Sequence, residues 1–380
     1  MLLVAARIAL GVAFQTAGLA APFLVQDWGI DYAAAGGLVG LFWIPGLFLV
    51  LGAGPLARRF GEGRMVAAGL LMLAAGVAVS AASAGEWLFG AGRLLTGAGA
   101  ALLMALLMKM VADWFTGRWL FLGMACFIVG WPIGIAGTQF ALAPMAEASW
   151  RGALLAGAGF VALVGLAFAA FYRAPPGAVA TSAARERMTG REAWLVLVAG
   201  LGWTIYNGAY LVLVTFGPVL LAERDAVGGA EAARAASLLS WVFALCIPLG
   251  GLLSARMAKP AWLSGGALAA SALAAAAVPL SGAAAAAPLM VAIGVLSAFA
   301  TPYLSTQPVQ ALRPASRANG LGLYYFLFYL GCTALPPVAG WLKDHHGPEA
   351  PMWFAVGLLA TTVLLMAVFA LGLARLRRGA

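Results

Sequence analysis

Long apolar runs alternate with short polar breaks along the whole chain. A helix needs about 20 apolar residues to cross the hydrocarbon of a bilayer. Twelve runs approach or exceed that length: 3–24, 34–53, 65–83, 86–108, 119–142, 150–171, 194–221, 236–255, 261–280, 286–310, 320–341 and 351–373. They are rich in Gly and Ala, which lets helix backbones approach closely in lipid. Ala20-Ala21 is a plausible signal-peptide cleavage point. Eleven further runs favour a first membrane helix instead. The pattern predicts an all-α integral membrane protein with twelve transmembrane helices.

The breaks between runs order the chain. The longest, 173–193 (RAPPGAVATSAARERMTGREA), combines Pro-Pro, small residues and four arginines, and reads as a linker. It predicts a six-helix half over 1–172, a linker over 173–193 and a second six-helix half over 194–380. Weak echoes relate the halves. Gly54 and Arg59 recur as Gly251 and Arg256 at an offset of 197, Arg118 and Gly123 as Arg317 and Gly322 at 199, and Pro22 as Pro218 at 196. A parallel repeat of this kind puts the substrate between the halves, near the bilayer midplane.

Charge sets the orientation. With the N-terminus cytoplasmic, 17 of the 22 Lys and Arg fall in inner segments and 4 in outer ones, while Arg93 lies within a span. Arg7 is counted among the inner residues. The bias predicts both termini in the cytoplasm.

Composition narrows the function. The chain has 380 residues, 64% of them hydrophobic and only 9% charged. Soluble domains carry about 25% charged residues. Too little polar surface remains for a soluble enzyme, a disordered chain or a nucleic-acid binder. The net charge of +9 follows the membrane orientation. Three cysteines lie in apolar runs, and the two histidines are adjacent at 345 and 346. No disulfide framework, metal site or cofactor is implied.

Several motifs resemble the major facilitator superfamily, over essentially the whole chain. The loop Gly54-Pro-Leu-Ala-Arg58-Arg59-Phe-Gly61-Glu-Gly-Arg64 is similar to the family's first signature. It departs at Arg58, where the family usually has an acid that helps latch the cytoplasmic side. Asp113, in the next cytoplasmic loop, is a candidate replacement carboxylate. Arg93-Leu-Leu-Thr-Gly97-Ala-Gly99 resembles the second signature, and Gly130-Trp131-Pro132-Ile133-Gly134 is a partial fifth-helix motif. The stretch from Lys109 through Asp113 and Arg118 to Pro132 resembles bacterial cyanate and nitrate/nitrite-type permeases. Arginines that nitrate carriers place in spans 2 and 8 are absent, which argues against nitrate. The resemblance implies a transporter of the bacterial inner membrane, expected as a monomer. Its conformational residues would be Gly54, Arg58, Arg59, Gly61, Asp113, Arg118, Gly130, Pro132 and Gly134, and separately Pro302, in the proline-interrupted tenth run, marks a gating helix or an ordinary proline bend.

Arg93 is the sharpest single candidate. An arginine inside a span costs about 2.5–3.5 kcal/mol on insertion scales and usually faces a cavity. Guanidinium binds carboxylates in a bidentate fork. The alternative is a structural arginine that snorkels to Glu86 or Asp27 or bonds carbonyls of span 1. All 13 acids fall in loops or at span ends. No titrating carboxylate for proton coupling is therefore expected within the membrane. Gln15, Trp43, Trp131, Tyr206, Asn207, Tyr325 and Tyr329 lie near span centres and complete the expected pocket. Each of them has helix packing as its alternative. The reading is a carrier of a small organic or cyanate-like anion, by uniport or exchange. The rival within transport is an efflux carrier for apolar or cationic compounds, which calls for an acidic cavity. No nucleophile–base set or phosphate loop appears, so an enzyme is not expected.

Overall fold

The computed structural model describes residues 1–49, 59–115, 118–173, 188–225, 228–257, 259–313 and 316–378. Gly54, Arg58 and the side chain of Arg118 lie outside the described residues. The described chain is helical throughout. In order run α1 (Leu2–Trp28), α2 (Tyr32–Gly40), a 3₁₀ turn (Leu41–Trp43), α3 (Ile44–Leu49), α4 (Glu62–Ala81), α5 (Glu86–Trp114) and α6 (Arg118–Gly137). A π-turn (Thr138–Leu142) leads into α7 (Ala143–Phe171). The rest are α8 (Gly190–Asp225), α9 (Gly229–Arg256), α10 (Pro260–Leu280), α11 (Ala283–Ala311), α12 (Arg317–His346) and α13 (Ala350–Arg378).

Among the described residues, eleven helical stretches are long and apolar enough to cross a membrane. The helices overrun the apolar runs because their ends carry polar residues into the interface. One stretch, Cys126–Phe171, has 46 residues. At 1.5 Å per residue that is about 69 Å, over twice the hydrocarbon thickness. Ser149 breaks its helix with φ −162° and ψ 104°. The polar break expected between 142 and 150 is thus a π-turn and a kink, with helical backbone between them.

Packing follows a repeating pattern. α1 packs on α6 and α7, and α4 on α5 and α7; correspondingly α8 packs on α12 and α13, and α10 on α11 and α13. The first set meets the second chiefly where α2 lies on α12 and α6 on α9. Small residues make the close contacts. A Cβ on Gly134 would stand 2.8 Å from Val12 N and 2.9 Å from the Gly11 Cα, so α1 and α6 meet backbone to backbone. Gly92 and Gly99 serve α4 against α5 in the same way, and Gly36 and Gly340 join α2 to α12. With no hydrophobic drive between helices in lipid, such contacts carry much of the association.

Candidate functional site

Arg93 is 1% exposed. Its Nε donates to Leu38 O at 3.3 Å, its Nη1 to Ala13 O at 3.1 Å and its Nη2 to Val39 O at 3.4 Å. The rings of Phe14 and Phe42 flank it at 5.9 and 5.1 Å. All three nitrogens are thus directed at backbone of α1 and α2. Where a substrate anchor was expected, the guanidinium ties three helices together. The rest of its motif does similar work. Thr96 bonds Gly92 O, and Gly97 leaves room for the backbone at Phe42.

A second arginine sits differently. Arg7, counted from the sequence as a cytoplasmic residue, points into the bundle. Its guanidinium lies 5.3 Å from the Phe127 ring and 5.4 Å from the Trp131 ring. Its charge reaches Tyr325 and Tyr329 of α12. Gly130 makes this placement possible, because a Cβ there would stand 2.9 Å from the Arg7 Cβ. Arg7 Nε is buried and makes no hydrogen bond. The same holds for the indole Nε1 of Trp43. Trp43 is the hub of an aromatic cluster, with Trp131 at 5.8 Å, Phe14 at 5.5 Å, Phe328 at 5.2 Å and Tyr329 at 6.0 Å between ring centres. Tyr325 and Tyr329 reach across to Met108 and Met104 of α5, at 3.9 and 3.5 Å. The structure therefore brings together Trp43, Trp131, Tyr325 and Tyr329 from the expected pocket, around an arginine the sequence reading left out.

The other expected residues scatter. Tyr206 is 3% exposed, and its hydroxyl bonds Ser297 O at 2.9 Å and Thr301 Oγ1 at 2.7 Å on α11. Asn207 donates to Trp203 O in its own helix at 2.7 Å. Both side chains are thus bonded to helix partners, apart from the cluster around Arg7. Gln15 lines a different cavity, away from Arg7. Asp113 accepts from Lys109 at 2.7 Å, and Lys109 meets Glu62 at 2.8 Å. That cluster joins α4 to α5 within the first helix set. Arg59 is exposed over Phe60, while Gly61 has φ 89°, a conformation glycine alone takes readily, and turns the chain into α4. Gly130, Pro132 and Gly134 are buried where α6 meets α1. Pro302 lies inside α11, and the carbonyl it leaves without a helical donor, Ala298 O, faces Gly250 of α9.

One end of the bundle, where α2 and α9 begin, is held shut by polar bonds between the two sets. Asp344 at the end of α12 accepts from the backbone N–H of Tyr32 at 3.1 Å and of Ala33 at 2.8 Å. Glu147 near the start of α7 accepts from Ala230 N–H at 2.6 Å. Each carboxylate caps the N-terminus of a helix in the opposite set. Both the caps and the capped residues are spaced by 197 positions: Glu147 with Asp344, and Ala33 with Ala230. Tyr32 adds a hydroxyl bond to Glu223 at 3.1 Å, and Lys343 pairs with Glu223 at 3.1 Å while standing 3.8 Å over the Tyr32 ring. Gln139 donates to Val214 O at 2.7 Å.

This architecture has clear counterparts. Residues 3–336 match the Major Facilitator Superfamily. The chain belongs to that superfamily. It is accordingly a multi-pass membrane transporter and not an enzyme. Its fold superposes on the crystal structure of a bacterial homolog of the human lysosomal transporter Spinster, in an inward-facing and occupied conformation. That comparison has a TM-score of 0.76 at 16% identity, covering 99% of this chain and 96% of the other. A 55-residue segment is 42% identical to the 4-hydroxybenzoate transporter PcaK of Pseudomonas aeruginosa, which is 14% of this chain and 12% of that protein.

Removing the Arg93 guanidinium strips three hydrogen bonds from buried carbonyls of this transporter. Arg93→Met is expected to lower stability in detergent by about 2–4 kcal/mol, read as a lower unfolding midpoint. An unchanged midpoint would contradict the structural role.

Proposed function

We propose that this transporter carries a small aromatic or apolar carboxylate, by uniport or exchange, with Arg7 as the anchor for the charge. The carrying observation is the pair of buried, unpaired donors, Arg7 Nε and Trp43 Nε1, inside an aromatic cluster. A buried donor without a partner is unfavourable by about 1–3 kcal/mol, so an incoming acceptor relieves it. A carboxylate supplies that acceptor, and aromatic walls suit a ring behind it. The partial likeness to a 4-hydroxybenzoate transporter agrees with this class. The aromatic lining favours such an acid over the cyanate-like ions that the branch resemblance also admits. The rival efflux reading calls for an acid in this position, where Arg7 places a positive charge.

In the same proposal the chain crosses the membrane twelve times, with Cys126–Phe171 counted twice and divided near Ser149. The linker 173–193 joins the six-helix halves, both termini are cytoplasmic, and the α2/α9 end faces outward. Alternating access then requires the two carboxylate caps to break as the outer side opens.

Two measurements test these points. Proteoliposomes loaded with benzoate are expected to show counterflow of labelled benzoate. Unlabelled aromatic acids should compete, and the neutral isostere benzyl alcohol should not. Benzylamine counterflow without benzoate counterflow would overturn the carboxylate assignment. Separately, Glu147→Gln combined with Asp344→Asn removes two charged caps, each worth roughly 1 kcal/mol. In a background lacking Cys126, Cys246 and Cys332, a cysteine introduced by Ala233→Cys should then react about tenfold faster with an outside thiol reagent. An unchanged rate would contradict the closing role of the caps.

A further inference from the structure

A cavity of about 240 Å³ lies between the helix sets, directly beneath the α2/α9 closure. It is separate from the Arg7 cluster: Arg7, Trp43, Trp131, Tyr325 and Tyr329 do not line it. Its chemistry is the reverse of that cluster. Three residues of its wall each carry a side-chain oxygen that is buried with no hydrogen-bond partner: Gln15 Oε1, Gln139 Oε1 and Thr215 Oγ1. These residues are 1%, 1% and 4% exposed. The Gln139 amide is oriented by its Nε2 bond to Val214 O, which leaves its oxygen as the unmatched atom. Two carboxylates, Glu147 and Glu223, stand on the lining, and among the described residues it contains no Lys, Arg or His. The remaining wall is largely apolar, including Leu19, Phe23 and Val219.

We propose that this chamber is a second ligand site, for a small organic ammonium ion. Unpaired buried acceptors call for donors. An ammonium group brings three N–H donors and accepts nothing, so it matches three orphan oxygens. Its positive charge suits the carboxylates of the lining, Glu147, which meets a backbone N–H, and Glu223, which shares its charge with Lys343. The apolar wall takes a hydrocarbon body, and the volume, below the roughly 300–1,000 Å³ of drug-sized pockets, holds the ligand to a small one. Glu147 and Glu223 belong both to the lining and to the closure above it. Occupancy of the chamber therefore bears on the same bonds that keep the outer end shut. This inference does not rest on the carboxylate reading, since the two sites share no side chain named for either.

The test is a calorimetric titration of the full-length purified protein with benzylammonium, and with benzyl alcohol as the neutral isostere. Benzylammonium is expected to bind at least about tenfold more tightly than the alcohol. Thr215→Val keeps the shape and removes one acceptor, and should weaken ammonium binding at least about threefold. Gln15→Met with Thr215→Val should reduce it further. Each variant's unfolding midpoint and elution volume report whether the fold is intact. Equal affinity for the alcohol, no heat with benzylammonium, or unchanged binding in folded Gln15→Met/Thr215→Val protein would each overturn the proposal. Benzoate titrations of the same variants read the Arg7 cluster, so loss of one ligand with retention of the other separates the two sites.

Discussion

A guanidinium inside a membrane bundle must be compensated, and the way two arginines meet that requirement organises this transporter. Placing arginine at the bilayer centre costs about 2.5–3.5 kcal/mol on insertion scales. Arg93 recovers the cost from the protein itself, through carbonyls of Leu38, Val39 and Ala13 and the faces of two phenylalanines. It is thereby spent on holding α1, α2 and α5 together. Arg7, half-buried, holds its guanidinium over the rings of Phe127 and Trp131. Its Nε has no partner, and that unmet requirement is what makes the cluster around it a candidate site.

The framework that permits this is built on close backbone contact. Gly11, Gly130 and Gly134 let α1 and α6 touch, and the same contact leaves space for the stem of Arg7 beside Gly130. Between the helix sets, the packing of α2 on α12 uses Gly36 and Gly340, while the polar bonds gather at the ends of helices. Carboxylate caps are well suited to a reversible closure. They satisfy orphan N–H groups at helix starts, and water can replace them when the end opens. Their matched spacing of 197 residues puts one on each side of the interface.

Much of the fold was legible along the chain, because a membrane span announces itself by length and composition. The boundary between the fifth and sixth runs was not, since the residues from Thr138 to Ser149 keep helical backbone through a π-turn until the kink. Trp43, Trp131, Tyr325 and Tyr329 were legible as a set, as aromatics near span centres. Arg7 was missed for a reason of geometry. It lies inside an apolar run but near its start, so linear distance assigns it to the membrane surface. Only the packing of α1 against α6 turns its head inward. For Arg93 the structural alternative, bonds to carbonyls of the first span, is the one realised, with α2 added. The helix partners of Tyr206 and Asn207 were not legible, because a polar group at a span centre looks the same whether it meets a ligand or a neighbouring helix. The caps by Asp344 and Glu147 join residues more than 80 positions apart, and no local pattern marks them.

The central claim is that Arg7, and not Arg93, meets the carboxylate. Calorimetric titration of purified protein with benzoate, comparing the unaltered chain with Arg7→Gln, tests it most directly when each protein's unfolding midpoint is recorded alongside. The account predicts that Arg7→Gln weakens benzoate binding by at least about tenfold, the loss of a charge-assisted hydrogen bond, while its midpoint stays within about 2 °C. Benzoate binding with undiminished affinity in folded Arg7→Gln protein would contradict it.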